Sequence, residues 1–177
     1  MIPSYLKNCF TIPCVDGNCV KFWDPNGKKY KNPHLGIDIS WWTSQGLPII
    51  ASQDGKVVDL GFGKTIGNFV VLQHDYDDGT HAWTSYIHLH ELPGYYKRDS
   101  NWAYVYDVDG KKQRTSFKIG DSVKVNSEIG IKGNTGDSNG EHLHVYFTEP
   151  TTLPYSWNTM RAHTVDPLPL MYRSKEC

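Results

Sequence analysis

From residue 34 onward, apolar and polar residues trade places every second position in a series of short segments. They read "HLGIDIS", "GLPIIAS", "GKVVDLG", "NFVVLQHD", "WTSYIHLH", "DSVKVNSEIGIKG" and "EHLHVYF", with Gly and Asp punctuation between them. A period of two predicts strands with one buried face. Many short strands in succession predict a mostly β chain, an antiparallel sheet or sandwich. Between residues 91 and 117 the segments "WAYVYDV" and "KKQRTSF" flank Asp109 and Gly110, and this inserted stretch reads as a β-hairpin. Its aromatics, Tyr95, Tyr96, Trp102, Tyr104 and Tyr106, are expected to pack the hairpin onto the body rather than line a groove. The stretch "TTLPYSWNTMRAHTVDPLPLMY" is Pro-rich and predicts loop with at most one short helix. Residues 1 to about 30 show no sustained period and read as an irregular lead-in. Residues 31–177 read as one domain.

Composition supports strands over helices: 13% of the 177 residues are aromatic, with 16 Gly and 10 Pro. A formal net charge of −1 with scattered Lys and Arg gives no electrostatic footprint for nucleic acid or an anionic membrane surface. No apolar run is long enough for a membrane span, and the opening "MIPSYLKNCF" lacks the regions of a signal peptide. The expectation is a chain not exported by the usual route, or one from which a signal or larger parent has been trimmed. Cys9, Cys14, Cys19 and Cys177 form no C-x-x-C pair and allow three disulfide pairings, among which the sequence does not choose.

Three segments carry the chemistry. In "HLHVYF", His142, His144 and Tyr146 share one parity, and Leu143, Val145 and Phe147 the other. "HLGIDIS" sets His34, Gly36, Asp38 and Ser40 against Leu35, Ile37 and Ile39, with Gly36 leaving space between His34 and Asp38. "TSYIHLH" sets Thr84, Tyr86, His88 and His90 against Ser85, Ile87 and Leu89. Side chains alternate across a strand, so each segment is expected to pair a core face with a His-bearing face. Imidazoles buried only for packing would need polar partners for every ring nitrogen. Convergence on a metal answers that need: two His and one carboxylate suit Zn²⁺ and leave a fourth position open for water, the arrangement of catalytic sites. Each motif alone is weak, and an H-x-H pair on a strand can also bind one metal with both rings. His90 is expected to face solvent, His74, His81 and His163 to lie on the surface, and Asn68 to fix a turn. Tyr86 and Tyr30 are lesser candidates for contacts near the site.

Over residues 34–148 the sequence resembles the LytM and lysostaphin-type zinc metallopeptidases that cut peptidoglycan peptides. "HLGIDIS" looks like that family's first metal motif. "GLPIIASQDGKVVDLGFGKTIGNFVVLQHD" and "YIHL" resemble its following strands, and "IGDSVKVNSEIGIKGNTGDSNGEHLHVYF" resembles its closing G-x-T-G-x-S-x-G-x-H-L-H run. The resemblance implies a lysostaphin-like β fold, Zn²⁺ held by His34, Asp38 and His144, and His88 and His142 as unligated catalytic histidines. It further implies bacterial peptidoglycan peptides as substrate, without nucleic acid or membrane partners, and an extracellular or virion-associated setting. The alternative is a non-catalytic relative that keeps the fold as a binding or regulatory module, which commonly loses ligands or catalytic histidines. All five residues are present here. The chain departs from the pattern in its longer segment after His88, in Glu141 where Pro is common, and in "NSE" at residues 126–128. The last two are expected to affect only surface and turn.

Overall fold

The computed structural model describes residues 20–24, 34–40, 47–97, 99–101 and 103–165. The strands are β1 (Val20–Asp24), β2 (His34–Ser40), β3 (Pro48–Ile50), β4 (Gly55–Gly63), β5 (Gly67–Asp75), β6 (His81–Leu89), β7 (Gly94–Tyr96), β8 (Arg114–Ser116), β9 (Ser122–Val123), β10 (Glu128–Ile131) and β11 (Leu143–Phe147). One six-residue helix, α1 (Trp157–Ala162), follows them. Seven strands form a sheet in the order β1-β2-β11-β6-β5-β4-β9, while β10 with β3 and β7 with β8 form two separate pairs. Every one of these pairings is antiparallel, so the mostly β class expected from the alternation is the one the chain adopts.

The large sheet is covered on both faces. Ile37, Ile39, Val70, Leu72, Tyr86, Leu89, Leu143 and Val145 pack on one side with Ile49 and Ile129 of the β3–β10 pair. On the other side Phe69, Val71, Trp83 and Ile87 meet Met160 of α1, with Tyr155 and Trp157 against them. The carboxylate of Asp59 accepts hydrogen bonds from the Tyr155 hydroxyl (2.8 Å) and the Trp157 indole N–H (3.0 Å), pinning the segment around α1 to the sheet. Ser156 caps α1, its hydroxyl accepting from the Thr159 N–H. A single short helix in this stretch is what the Pro-rich composition predicts.

The lead-in is less irregular than its sequence. Val20–Asp24 forms edge strand β1, with Phe22 opposite Asp38 of β2. A strand of five residues has too few positions to establish a period, and it exists through its long-range partner. The four cysteines, Tyr30 and Trp102 lie outside the described residues.

The turn expected at Asp109 and Gly110 is present, but among the described residues the segments flanking it meet in an isolated bridge, and Arg114–Ser116 pairs instead with Gly94–Tyr96. The Asp107 N–H donates to Lys111 O (2.8 Å), Gly110 takes φ 73°, and Tyr106 bridges to Lys112. Its aromatics pack mainly within the insertion: the Tyr96 and Tyr104 rings meet edge-on at 5.7 Å, Lys112 Nζ lies 3.7 Å from the Tyr104 ring centre, and Tyr95 leans on Phe117. Against the expectation, Tyr95 and Tyr96 also line a pocket with Val123 and Glu128 of the body, and Tyr95 and Tyr106 are exposed. Among the described residues no helix is long and apolar enough to cross a membrane.

His74 corrects the expectation of a surface role. It is fully buried, its Nδ1–H donating to Asp54 O (2.7 Å) and its Nε2 accepting from the Thr84 hydroxyl (2.8 Å). Both ring nitrogens are thus satisfied without a metal. His81 and His163 remain partly exposed. Burial pushes the His74 imidazole down to about 4, against the opposing pull of the Asp54 carbonyl and the Asp75 and Asp54 carboxylates. The unfolded imidazole protonates near 6.5, so below that pH the unfolded chain binds a proton the folded chain refuses. Stability should therefore be fully present above pH 6.5 and fall by about 3 kcal/mol as pH drops towards 4. Urea denaturation across this window should show the fall in the wild type and a smaller one in His74→Gln.

Candidate active site

Antiparallel pairing of β2 with β11 sets Asp38 directly opposite His144. Residues directly opposite share a face, and their neighbours Ile37, Ile39, Leu143 and Val145 are committed to the core on the other side. Asp38 Oδ1 and His144 Nδ1 lie 2.7 Å apart. The other nitrogen, His144 Nε2, lies 3.0 Å from Leu35 O. A carbonyl oxygen only accepts, so Nε2 carries the hydrogen. In a neutral ring Nδ1 then presents a lone pair to a carboxylate oxygen, two acceptors in contact. Such a pair needs a cation between or beside it, a proton or a metal ion.

Gly36 makes room for this ring. It sits at φ 124°, and a Cβ built there would collide with His144 Nε2 and lie 2.8 Å from Val145 O. The space that the sequence places beside Gly36 is filled by the His144 imidazole.

His142 enters from the segment before β11. Its backbone bridges to Gly133, its Nδ1–H donates to Gly140 O (2.8 Å), and its Nε2 lies 3.5 Å from Asp38 Oδ1. The Ser138 hydroxyl, 3.3 Å from Nδ1, also contacts Asn134 Oδ1 and Gly140 O, closing the loop beneath the ring.

His88 reaches the same face by breaking the alternation. The β6–β11 register puts Tyr86 opposite Val145 and Ile87 opposite His144, so Tyr86 faces the core and Ile87 the site side, the reverse of the simple parity reading. His88 then adopts φ 62°, and the pairing of β5 with β6 shifts between Asn68 and Val70. This bulge turns His88 onto the site face and returns Leu89 to the core. The His88 ring lies 4.8 Å from that of His142 and 6.2 Å from that of His144. Its Nδ1–H donates to Thr135 O (2.8 Å). The Thr135 hydroxyl donates to Leu89 O (2.6 Å) and accepts from the Asn68 N–H (2.9 Å), while the Asn68 amide also reaches Leu89 O (3.2 Å). Asn68, expected to fix a turn, instead sits in β5 and ties Leu89 to Thr135 across the bulge. The crossing is close enough that a Cβ on Gly67 would run into Thr135. Burial, together with charge on His142 and His144, pushes the His88 pKa down, although its hydrogen bond to Thr135 opposes this.

Asp38, His142 and His144 each offer a ligand atom, all within 4.8 Å of one another, with His88 alongside. His34 opens β2, four positions before Asp38, its backbone opposite Asp24; its side chain lies outside the described residues. A carboxylate oxygen with imidazole nitrogens is a donor set that fits Zn²⁺. His90 is exposed. Tyr86 belongs to the core, its hydroxyl donating to Ser52 Oγ (3.1 Å) and accepting from Ser52 N–H (2.9 Å). Glu141 is more than a surface residue: its Oε2 lies 3.5 Å from the ammonium of buried Lys132. The supporting roles of Thr135 and Ser138 are missing from the residue-by-residue reading, although both stand in its "NTGDSNG" stretch.

The fold resembles that of lysostaphin-like peptidase domains. The catalytic domain of lysostaphin from Staphylococcus simulans superposes with a TM-score of 0.57 at 26% identity, over 88% of this chain and 93% of that one. Residues 32–101 match the model of Peptidase family M23. The glycyl-glycine endopeptidase ALE-1 of Staphylococcus capitis is 30% identical over 176 residues, 93% of this chain and 39% of that protein. The peptidoglycan DD-endopeptidase ShyA of Vibrio cholerae is 31% identical over 112 residues, 63% of this chain and 19% of that protein. The chain is therefore a relative of the LytM and lysostaphin-type peptidases, and it spans well under half the length of the curated relatives it matches.

Gly36→Ala should displace the His144 ring and strain the backbone. We expect a loss of roughly 1–3 kcal/mol in urea denaturation of the metal-free protein, together with weaker zinc uptake.

Proposed function

We propose that the chain is a zinc-dependent endopeptidase that hydrolyses peptide bonds of bacterial peptidoglycan. His34, Asp38 and His144 would hold the ion, and His142 and His88 would act as catalytic imidazoles. The observation that carries this reading is the convergence of one ligand atom each from Asp38, His142 and His144 within 4.8 Å of one another, with Asp38 Oδ1 2.7 Å from His144 Nδ1 on one sheet face. When bound, the ion would polarise the attacking water and the scissile carbonyl.

The chain's own residues supply the rest. The main-chain carbonyls of Gly140 and Thr135 take the Nδ1 hydrogens of His142 and His88, so both rings turn an unprotonated Nε2 outward. His142 has its Nε2 3.5 Å from the Asp38 carboxylate, which stabilises the imidazolium formed when the ring accepts the water's proton. His88, which burial keeps from holding a charge for long, suits the passing of a proton to the leaving amine or the brief stabilisation of the oxyanion. The relatives ALE-1 and ShyA, named for glycyl-glycine and DD-endopeptidase activities, support a wall peptide as substrate.

One observation favours a second ligand set: His142, not only His144, lies within ligand reach of Asp38. Metal analysis separates the two readings. Under the first, His34→Ala, Asp38→Ala and His144→Ala lose zinc. His142→Ala and His88→Ala keep it while wall clearing in a turbidity assay slows by roughly 10²- to 10⁴-fold. Zinc lost from His142→Ala but kept by His34→Ala would make His142 the third ligand. Clearing by the wild type that persists under a chelator would overturn the zinc-dependent reading, and absence of clearing by the zinc-loaded wild type the lytic one.

A further inference from the structure

Directly before His142 stands Glu141, where the resembling family commonly has proline. A proline ring locks its own φ near −65°, which fixes the course of the chain as it enters the next residue. Glutamate has no such ring, yet Glu141 is not loose. Its carboxylate Oε2 lies 3.5 Å from the ammonium of Lys132, whose side chain is only 2% exposed. Lys132 precedes Gly133 and Glu141 precedes His142, and Gly133 and His142 are the bridged pair, with the His142 N–H donating to Gly133 O at 3.2 Å. The ion pair therefore lies beside the backbone bridge that carries the His142 ring.

A buried ammonium is an expensive way to hold two strands together. Desolvation offsets much of the attraction, and replacing such a pair by neutral groups of similar shape is often neutral or stabilising. Fixing one arrangement of the chain is the better-attested use of such a pair. The Glu141 amide donates no hydrogen bond among the described residues, and its φ is not positive, so a proline here would cost no backbone partner.

We propose that Lys132 and Glu141 are positioning residues for His142, an electrostatic clamp that does the work of a proline ring. The inference rests on the reading of His142 as a catalytic imidazole. It also predicts something a purely structural pair does not: removing both charges harms the site, and proline repairs it.

The test uses the zinc-loaded full chain in three forms: wild type, K132M/E141Q and K132M/E141P. Each is measured for zinc content, thermal midpoint, kcat and KM on cell-wall peptide, and side-chain order of ¹³C-labelled His142 by NMR. In K132M/E141Q we expect unchanged zinc, midpoint and KM, a disordered His142 ring, and kcat lowered about 10- to 100-fold by misplacement. In K132M/E141P the ring should regain its order and most of the kcat should return. Wild-type kcat and ring order in K132M/E141Q would overturn the proposal, as would failure to fold, which would make the pair structural. Failure of proline to restore a folded, zinc-loaded variant would overturn it too. Should the wild type not cleave wall peptides, the functional reading fails separately, and the His142 ring order still decides whether the clamp exists.

Discussion

The site depends on one alignment: Asp38 must sit opposite His144 across β2 and β11. Slipping either strand by a single residue would turn its polar set into the core and its apolar set outward. The reverse face prevents that slip. Ile37, Ile39, Leu143 and Val145 are all fully buried there, each contributing roughly 1.5–3 kcal/mol through burial. The fold can therefore hold the Asp38 carboxylate 2.7 Å from the His144 ring, because the register is fixed by hydrophobic packing on the opposite side of the sheet. Gly36 completes the arrangement by leaving the imidazole the volume a side chain would occupy.

Where strands obey a strict period of two, sequence alternation is a reliable guide, and β11 and the part of β2 from Ile37 onward do, the register of β2 shifting before Ile37. The pairing of a core face with a polar face at Asp38 and His144 is legible from parity alone. In β6 the same rule fails. Tyr86 shares the core face with Val145, and His88 reaches the site only through a left-handed residue at φ 62°. Such a bulge is specified by distant contacts, here the knot of Asn68, Thr135 and Leu89, and no local pattern of apolar residues encodes it. The resemblance to lysostaphin-type sequences singles out His88 by comparing positions and not parities, and the fold brings its ring within 4.8 Å of that of His142.

The same distinction explains His74, Glu141 and β1. His74 looks like a strand-end polar residue, but its ring hydrogen bonds to Asp54 and Thr84 allow complete burial. Glu141 reads as a surface substitution until Lys132, nine positions away, supplies its partner. Strand β1 becomes visible only beside β2. In each case the missing information is a long-range partner, which a local pattern does not carry.

The inserted stretch joins the body in a telling place. Strands β7 and β8 pair with each other outside the seven-stranded sheet, and the link to β10 runs through the Tyr96 N–H and Glu128. None of Asp38, His88, His142 or His144 comes from this appendage. Its length and tip can thus change with the Asp38, His142 and His144 cluster left undisturbed, so an architecture of this kind separates the freedom to vary surface chemistry from the fixed geometry of the cluster.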